Sequence, residues 1–200
     1  MATAPMNYQL LADRIIPAEG IGANIVRIAA ANVLLIMCAW LAVPLSWTPV
    51  PITGQTFGVL LVAVLLGSRR GALTLALYLF EGFAGLPVFA PIGLPGAARL
   101  AGPTAGYLLA YPLAAFAVGW LVERGAGKSA THLANALFAG EMAIFAGGCA
   151  WLALWMHAGW HQALSAGLIP FIPGEIIKLA LVVAAVRGAE LARIRSQPQG

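Results

Sequence analysis

The chain has 200 residues, of which 61% are hydrophobic and only 9% are charged, whereas a soluble domain carries about 25% charged residues. This composition excludes an ordinary soluble domain and is typical of a polytopic membrane protein. The net charge of +4 comes from basic residues in short segments between apolar runs, without a basic cluster interleaved with aromatic residues. We therefore expect no nucleic-acid partner.

The N-terminal segment, residues 1–23, is predicted to be a cytoplasmic extension. It contains Asp13, Arg14 and Glu19 and lacks an apolar core followed by a small-residue cleavage site. We therefore expect no cleaved signal peptide. The first apolar run, residues 24–46, is then predicted to be a transmembrane helix, because about 20 residues cross a bilayer.

The following apolar runs predict five more helices. Residues 57–67 are short for a span, but a crossing there returns Arg69 and Arg70 to the side of the N-terminal arginines, as the positive-inside rule requires. The remaining helices are predicted at 71–89, at 103–124 with a kink at Pro112, at 129–157, and at 161–190 with a break at Pro173.

Six crossings place all basic residues except Arg99 and Lys178 on the side of the two termini. The positive-inside rule then predicts that both termini are cytoplasmic. Residues 24–195 are predicted to form a single all-α, six-helix transmembrane domain, and residues 196–200 a cytoplasmic tail. The outer connections are long and rich in proline and glycine, and long loops of this kind are usually functional.

Two charged residues interrupt the last apolar run. Glu175 and Lys178 lie three residues apart, on one face of a helix. Charged groups within a bilayer are costly and usually functional. Pro173 and Gly174 predict that a helix starts there after irregular backbone at 167–173, which is tolerated at membrane depth only inside protein or beside a cavity. We interpret the segment as a polar pocket wall; the alternative is an ion pair that only fixes helix packing.

Five further polar residues are unexpected in such apolar surroundings. Gln55 can donate to and accept from a polar ring, or it can cap a helix start. Glu81 is predicted either to line the pocket or to pair with Arg99, whose guanidinium can hold a carboxylate by two hydrogen bonds. Tyr107 is an aromatic candidate, and Glu141 is either a packing residue or the partner of the lysine described above. Together they indicate a ligand with one carboxylate, an apolar body and a small polar head.

Signals for catalysis are missing from the sequence. The common hydrolase, zinc and nucleotide-binding motifs do not occur, and Cys38 and Cys149 are interpreted as small buried hydrophobic residues. We predict a binding protein that is not an enzyme and has no cofactor or metal of its own. Small residues spaced four apart on the fourth and fifth helices favour packing within the chain, with a partner subunit or a second copy as the alternative.

Four segments resemble the BioY family, the biotin-binding S components of energy-coupling factor (ECF) transporters. The resemblance covers nearly all of the chain after residue 20 and implies a six-helix bundle that captures biotin from the outer side of the bacterial inner (plasma) membrane. It also implies a transmembrane coupling subunit and two ATPase subunits as partners, with any ATP hydrolysis on those subunits. The segments are PVPITGQ at 49–55, GLPVF at 85–89, GPTAGY at 102–107 and PFIPGEIIK at 170–178.

The resemblance also implies roles for residues of the last segment. The family usually has an aspartate where this chain has Glu175, which keeps a carboxylate for the ureido N–H groups of biotin, and Lys178 matches the lysine that donates to the ureido carbonyl. The Ala-x-x-x-Ala spacing that S components commonly show on the first helix is not clean here. The alternatives are an S component for thiamine or riboflavin, and an intramembrane enzyme. The predicted substrate-binding residues are Glu175, Lys178, Gln55, Arg99, Glu81, Tyr107 and Phe89.

Overall fold

The computed structural model describes Leu10, Asp13 and residues 20–196, with side chains up to residue 192. Most of the predicted N-terminal segment 1–23, including Arg14, lies outside the described residues. The same holds for the tail beyond residue 196 and for the side chains of Arg193 and Arg195.

The described residues are mainly helical, and five helical stretches are long and apolar enough to cross a bilayer. The chain is therefore a multi-pass membrane protein, and the all-α prediction is confirmed. A pair of two-residue strands, antiparallel with Ala42 opposite Thr53, joins the first two helices. The helices are α1 (Ile21–Trp40), α2 (Gln55–Phe83), α3 (Gly96–Arg99), α4 (Ala105–Glu123), α5 (Ala130–Trp155), α6 (Trp160–Gly167) and α7 (Ile172–Ser196), and the strands are β1 (Ala42–Val43) and β2 (Ile52–Thr53).

Helix α2 is a hairpin of two helical arms, residues 55–66 and 68–83, that reverses at Gly67. Gly67 has φ 77° and ψ −172°, a conformation open almost only to glycine. Gln55 Nε2 donates to Tyr78 Oη at 2.7 Å, although these residues would be about 34 Å apart along a straight helix. The reversal that the arginine positions predicted is thus present, and the α2 arms supply the second and third predicted helices.

The carboxylate of Glu123 fixes this reversal. Its oxygens accept from the backbone N–H of Ser68 at 2.7 Å and from the Ser68 hydroxyl at 2.8 Å. A carboxylate at a helix N-terminus satisfies free N–H groups and is favoured by the helix dipole. The turn between the two α2 arms is therefore tied to the end of α4.

Three predicted boundaries need correction. The third predicted helix, 71–89, ends at Phe83, six residues early, because a proline- and glycine-rich loop follows it. The first helix ends at Trp40, six residues early, because the chain from Ala42 to Thr53 forms the β1–β2 pair. The helix break predicted at Pro173 lies slightly earlier in the chain, in a 3-10 turn at Ile169–Phe171. Helix α7 then begins at Ile172. Proline is compatible with a first helical turn, where its missing N–H costs nothing. Pro112 lies inside α4 without interrupting it.

The helices pack around one apolar core. Helix α2 packs most extensively against α4, and α4 in turn against α5. At one end of the bundle Asp13 pairs with Arg27 and Arg70, and Arg187 donates to the backbone carbonyl of Lys128. This is the end predicted to be cytoplasmic, and the loops that follow α1, α2 and α5 lie at the other end.

Candidate substrate-binding site

A cavity of about 540 Å³, mouth included, lies among the loops opposite the basic end. Its walls come from the β1–β2 connection, the start of α2, the loop before α4, and helices α4, α5 and α7. Small-molecule sites usually have apolar walls with a few convergent polar groups. The structure brings six of the seven predicted residues to this cavity: Gln55, Phe89, Arg99, Tyr107, Glu175 and Lys178.

A hydrogen-bonded cluster of three side chains forms one wall. Lys178 Nζ lies 2.7 Å from Glu175 Oε1 and donates to Thr56 Oγ1 at 2.9 Å. Thr56 in turn donates to Glu175 Oε2 at 2.7 Å. Both ends of the ion pair thus touch one hydroxyl, which holds the carboxylate and the ammonium at a fixed spacing beside the cavity.

The start of α7 places this cluster. Glu175 lies in the first turn of α7, where the helix dipole favours a carboxylate, and Lys178 follows one turn later on the same face. The 3-10 turn before α7 puts Phe171 against the cavity. The break in the helix therefore opens toward the cavity, as the irregular segment predicted.

Gln55 occupies the first position of α2 and is only 6% exposed. Its side-chain carbonyl accepts from the Thr53 hydroxyl at 3.3 Å, while its amide nitrogen donates to the Tyr78 hydroxyl at 2.7 Å. The second amide hydrogen is free of partners in the described part of the chain. Gln55 is therefore both a residue of the helix start and a polar group of the cavity wall.

Arg99 ends the short helix α3 and is buried at 6% exposure. Its Nε donates to the carbonyl of Leu94 at 2.8 Å, and its Nη2 donates to the carbonyls of Ala90, at 2.6 Å, and Ile92. No carboxylate among the described residues pairs with it, and Nη1 makes no hydrogen bond to them. Burial lowers the pKa of the Arg99 guanidinium, which still keeps its proton at physiological pH. A buried positive charge without a counter-ion thus faces the cavity.

Aromatic rings supply much of the apolar wall. Tyr107 and Phe145 meet edge to face at 5.8 Å, and the Tyr107 hydroxyl donates to the carbonyl of Gly167 at 2.8 Å. Phe89 packs edge to face on Tyr78 at 5.4 Å. The Tyr107 hydroxyl is therefore engaged in holding the end of α6, and its ring is the part that can contact a ligand.

Glu81 is the predicted residue that the structure does not bring to the cavity. Both of its carboxylate oxygens accept from Asn32 Nδ2, at 2.8 and 2.7 Å. The expectation that Glu81 pairs with Arg99 is also wrong, since Arg99 binds backbone carbonyls instead. Glu81 ties α2 to α1, a packing role that composition could not distinguish from ligand binding.

Glu141 also lies outside the cavity lining and is not the partner of Lys178, which pairs with Glu175. It is 2% exposed, and its carboxyl interacts with that of Glu175. The packing role expected of Glu141 stays a prediction, since its carboxyl is buried in α5 among the other helices.

Sequence reasoning missed four polar residues of the wall: Thr53, Thr56, Thr104 and Tyr111. Thr56 follows Gln55 directly and carries no charge, so it did not stand out from its apolar surroundings. Tyr111 is 3% exposed, lines the cavity, and has a hydroxyl without a hydrogen-bond partner among the described residues. Its spacing of four from Tyr107 puts both rings on one face of α4 and was the available signal.

The described part of the chain contains no cluster of three or more His, Cys, Asp or Glu side chains that could hold a metal ion. Cys38 and Cys149 are both free and buried, as expected. The arrangement can bind a ligand through a carboxylate and an ammonium at one wall and a guanidinium at another.

The sequence and the fold match known proteins over most of their length. The chain is 38% identical to "Biotin transporter BioY" of Thermotoga maritima over 86% of this chain and 96% of that one. It is 37% identical to "Biotin transporter BioY" of Rhizobium etli over 73% of this chain and 80% of that one.

Among solved structures, the fold resembles the crystal structure of the S-component for biotin from an ECF-type ABC transporter. The TM-score is 0.77 at 28% identity, covering 90% of this chain and 96% of that one. The family model of the BioY family matches residues 12–195. The chain therefore belongs to the BioY family.

Proposed function

We propose that this chain takes up biotin, binding it in the cavity from the outer side of the membrane as the S component of an ECF-type ABC transporter. The names of the related transporters and the biotin S-component of similar fold support this proposal. The observation that carries it at the level of chemistry is the Thr56–Glu175–Lys178 cluster on one wall of a cavity whose other wall presents Arg99.

The two walls correspond to the two polar ends of biotin. Its ureido ring has two N–H donors and one carbonyl acceptor, which fit the Glu175 carboxylate and the Lys178 ammonium. Gln55 and Tyr111 have hydrogen-bonding capacity left over for the same ring. The apolar middle of the ligand fits the aromatic wall around Phe145. The carboxylate at its far end fits Arg99, whose Nη1 is free.

The same proposal extends to partners and location. The chain has no nucleotide-binding motif, so ATP hydrolysis belongs to two ATPase subunits, which act through a transmembrane coupling subunit. The protein lies in the bacterial inner membrane with the basic end in the cytoplasm, in accord with the positive-inside rule. It binds and delivers biotin without chemical change, and it needs no cofactor of its own.

Calorimetric titration with biotin tests the site. Purified protein in detergent is titrated in parallel with the Lys178→Ala variant and with Lys128→Ala, which removes an exposed ammonium at the opposite end. We expect wild type and Lys128→Ala to bind equally. Lys178→Ala should bind at least about tenfold more weakly, since a hydrogen bond from a charged donor contributes about 1.5–3 kcal/mol.

Two results would contradict the proposal. Tight binding of thiamine or riboflavin by the wild type, with no binding of biotin, would assign the cavity to another vitamin. Equal biotin affinity of wild type and Lys178→Ala would show that the cluster on α7 only fixes helix packing.

A further inference from the structure

The proposed binding site does not explain the environment of Glu141. This residue lies in the middle of α5, is 2% exposed, and neither of its carboxyl oxygens accepts from a donor among the described residues. An ionised carboxylate buried without donors is among the costliest groups in a protein, and more so at membrane depth. Its place next to the proposed site therefore requires a reason.

The charged and titratable neighbours of Glu141 come from two helices. Helix α7 brings Glu175 and Lys178 next to it, and α4 brings the hydroxyl of Tyr111. The first arm of α2, residues 55–66, contributes no charged residue. The cluster thus contains two carboxyl groups and a single ammonium.

The ammonium of Lys178 already has a partner. Lys178 pairs with Glu175, and Thr56 donates to the other oxygen of the same carboxylate. Ionising two adjacent buried carboxyl groups together costs a large amount of free energy. The two groups can hydrogen-bond to each other only if one of them carries a proton. A neutral Glu141 donating to Glu175 satisfies both conditions. It leaves Glu175 as the ionised partner of Lys178.

We propose that Glu141 holds an exchangeable proton that binds cooperatively with the ligand of the cavity. This inference rests on the biotin site proposed above. When the proton leaves to water, the Glu141 carboxylate repels Glu175, competes with it for Lys178, and adds negative charge near an anionic ligand. Loss of the proton therefore weakens ligand binding, and by reciprocity the bound ligand strengthens proton binding.

The test measures biotin affinity against pH for three proteins: wild type, Glu141→Gln, and Glu190→Gln as a control that removes a carboxylate at the opposite end of the bundle. The range runs from about pH 6 to pH 9.5, well above the ordinary pKa of a carboxyl group, so that the ligand stays ionised. We expect wild type and Glu190→Gln to lose at least about tenfold in biotin affinity across the range. Because one proton is released, the affinity should fall by at most about tenfold per pH unit.

Glu141→Gln separates a protonation role from a structural one. Its amide donates to Glu175 as the neutral acid does, but it cannot ionise. We expect this variant to match the wild-type affinity near pH 6 and to lose clearly less affinity than wild type toward pH 9.5, where any remaining decline belongs to Lys178. The same decline as in wild type, or weak binding at every pH, would overturn the proposal.

Proton uptake by the wild type gives a readout that does not depend on any variant. At a pH where affinity is falling, the heat of binding is measured in two buffers with different ionisation enthalpies. We expect biotin binding to take up a fraction of a proton, and a pH-independent affinity without proton uptake would refute the role of Glu141. Absence of biotin binding by the wild type at every pH would instead refute the proposed site, so the two failures are distinguishable.

Discussion

Arg99 holds the loop before α4 in place with the same guanidinium that faces the cavity. Nε and Nη2 bind the carbonyls of residues 90, 92 and 94, which leaves Nη1 for a ligand. Because these bonds fix the planar group before any ligand arrives, little side-chain entropy remains to be lost on binding. The residue is therefore suited to select a carboxylate by position as well as by charge.

Substitution of Arg99 should change which ligands the cavity prefers. We expect wild type to bind biotin at least about tenfold more tightly than biotinamide, its neutral amide, because a charged hydrogen bond is worth about 1.5–3 kcal/mol. In Arg99→Gln this preference should fall to about twofold or less. Arg124→Gln, which removes the arginine stacked on Trp120, is the control and should keep the wild-type ratio.

The affinity ratio matters more than either affinity alone. Arg99→Gln also loses loop contacts and should bind both ligands more weakly for that reason. An unchanged ratio in Arg99→Gln would mean that the guanidinium only supports the loop, and that the ligand carboxylate is bound elsewhere.

At the scale of elements, the α2 hairpin decides where the cavity lies. Its reversal at Gly67 returns the chain so that Tyr78 reaches Gln55 and the start of the first arm lies beside α7. Gly67 is closely surrounded by other atoms, in addition to having an unusual backbone conformation. A Cβ atom at Gly67 would lie 2.3 Å from Glu123 Oε1 and 2.6 Å from the side chain of Leu10.

Gly67→Ala should therefore destabilise the protein. Its φ of 77° alone costs an alanine about 1–3 kcal/mol, and the displaced Glu123 carboxylate adds to that. The matched control is Gly188→Ala on α7, where a Cβ meets nothing within 4 Å and the backbone is helical. Thermal unfolding in detergent should show a lower midpoint for Gly67→Ala and an unchanged or higher one for Gly188→Ala. Equal midpoints would show that the turn adapts to a side chain.

Sequence predicted the elements well where a physical rule applied to them directly. The positive-inside rule predicted a reversal near Arg69. The pair Pro173 and Gly174 predicted the start of α7 to within about two residues. The end of α1 was not predictable, because the β1–β2 pair depends on two segments that meet only in the fold. Partners were harder still: the sequence did not show that Glu81 binds Asn32 and lies away from the cavity.

The molecule as a whole has two polar ends with different chemistry. One end carries the cavity, whose polar groups are few, buried and fixed. The other end is rich in arginine and lysine, and there Asp13 meets two arginines. Arg70 donates to both Asp13 oxygens at 2.6 and 2.7 Å, while Arg27 lies 3.4 Å from one of them. This contact ties the chain before α1 to both α1 and α2.

The ion pair between Asp13 and Arg70 should make the stability of the folded protein depend on pH in the acidic range. Hydrogen bonds from Arg70 hold the pKa of Asp13 below its ordinary value of 3.8. Because the folded-state pKa is the lower one, the stabilisation is complete above pH 3.8 and is lost as the pH falls through the folded value. Asp13→Asn should unfold at a lower temperature than wild type near pH 7, and the two midpoints should converge as the pH falls below 3.8 and through the folded-state pKa of Asp13. A constant difference between the midpoints over this whole range would show that Asp13 acts through packing and not through its charge.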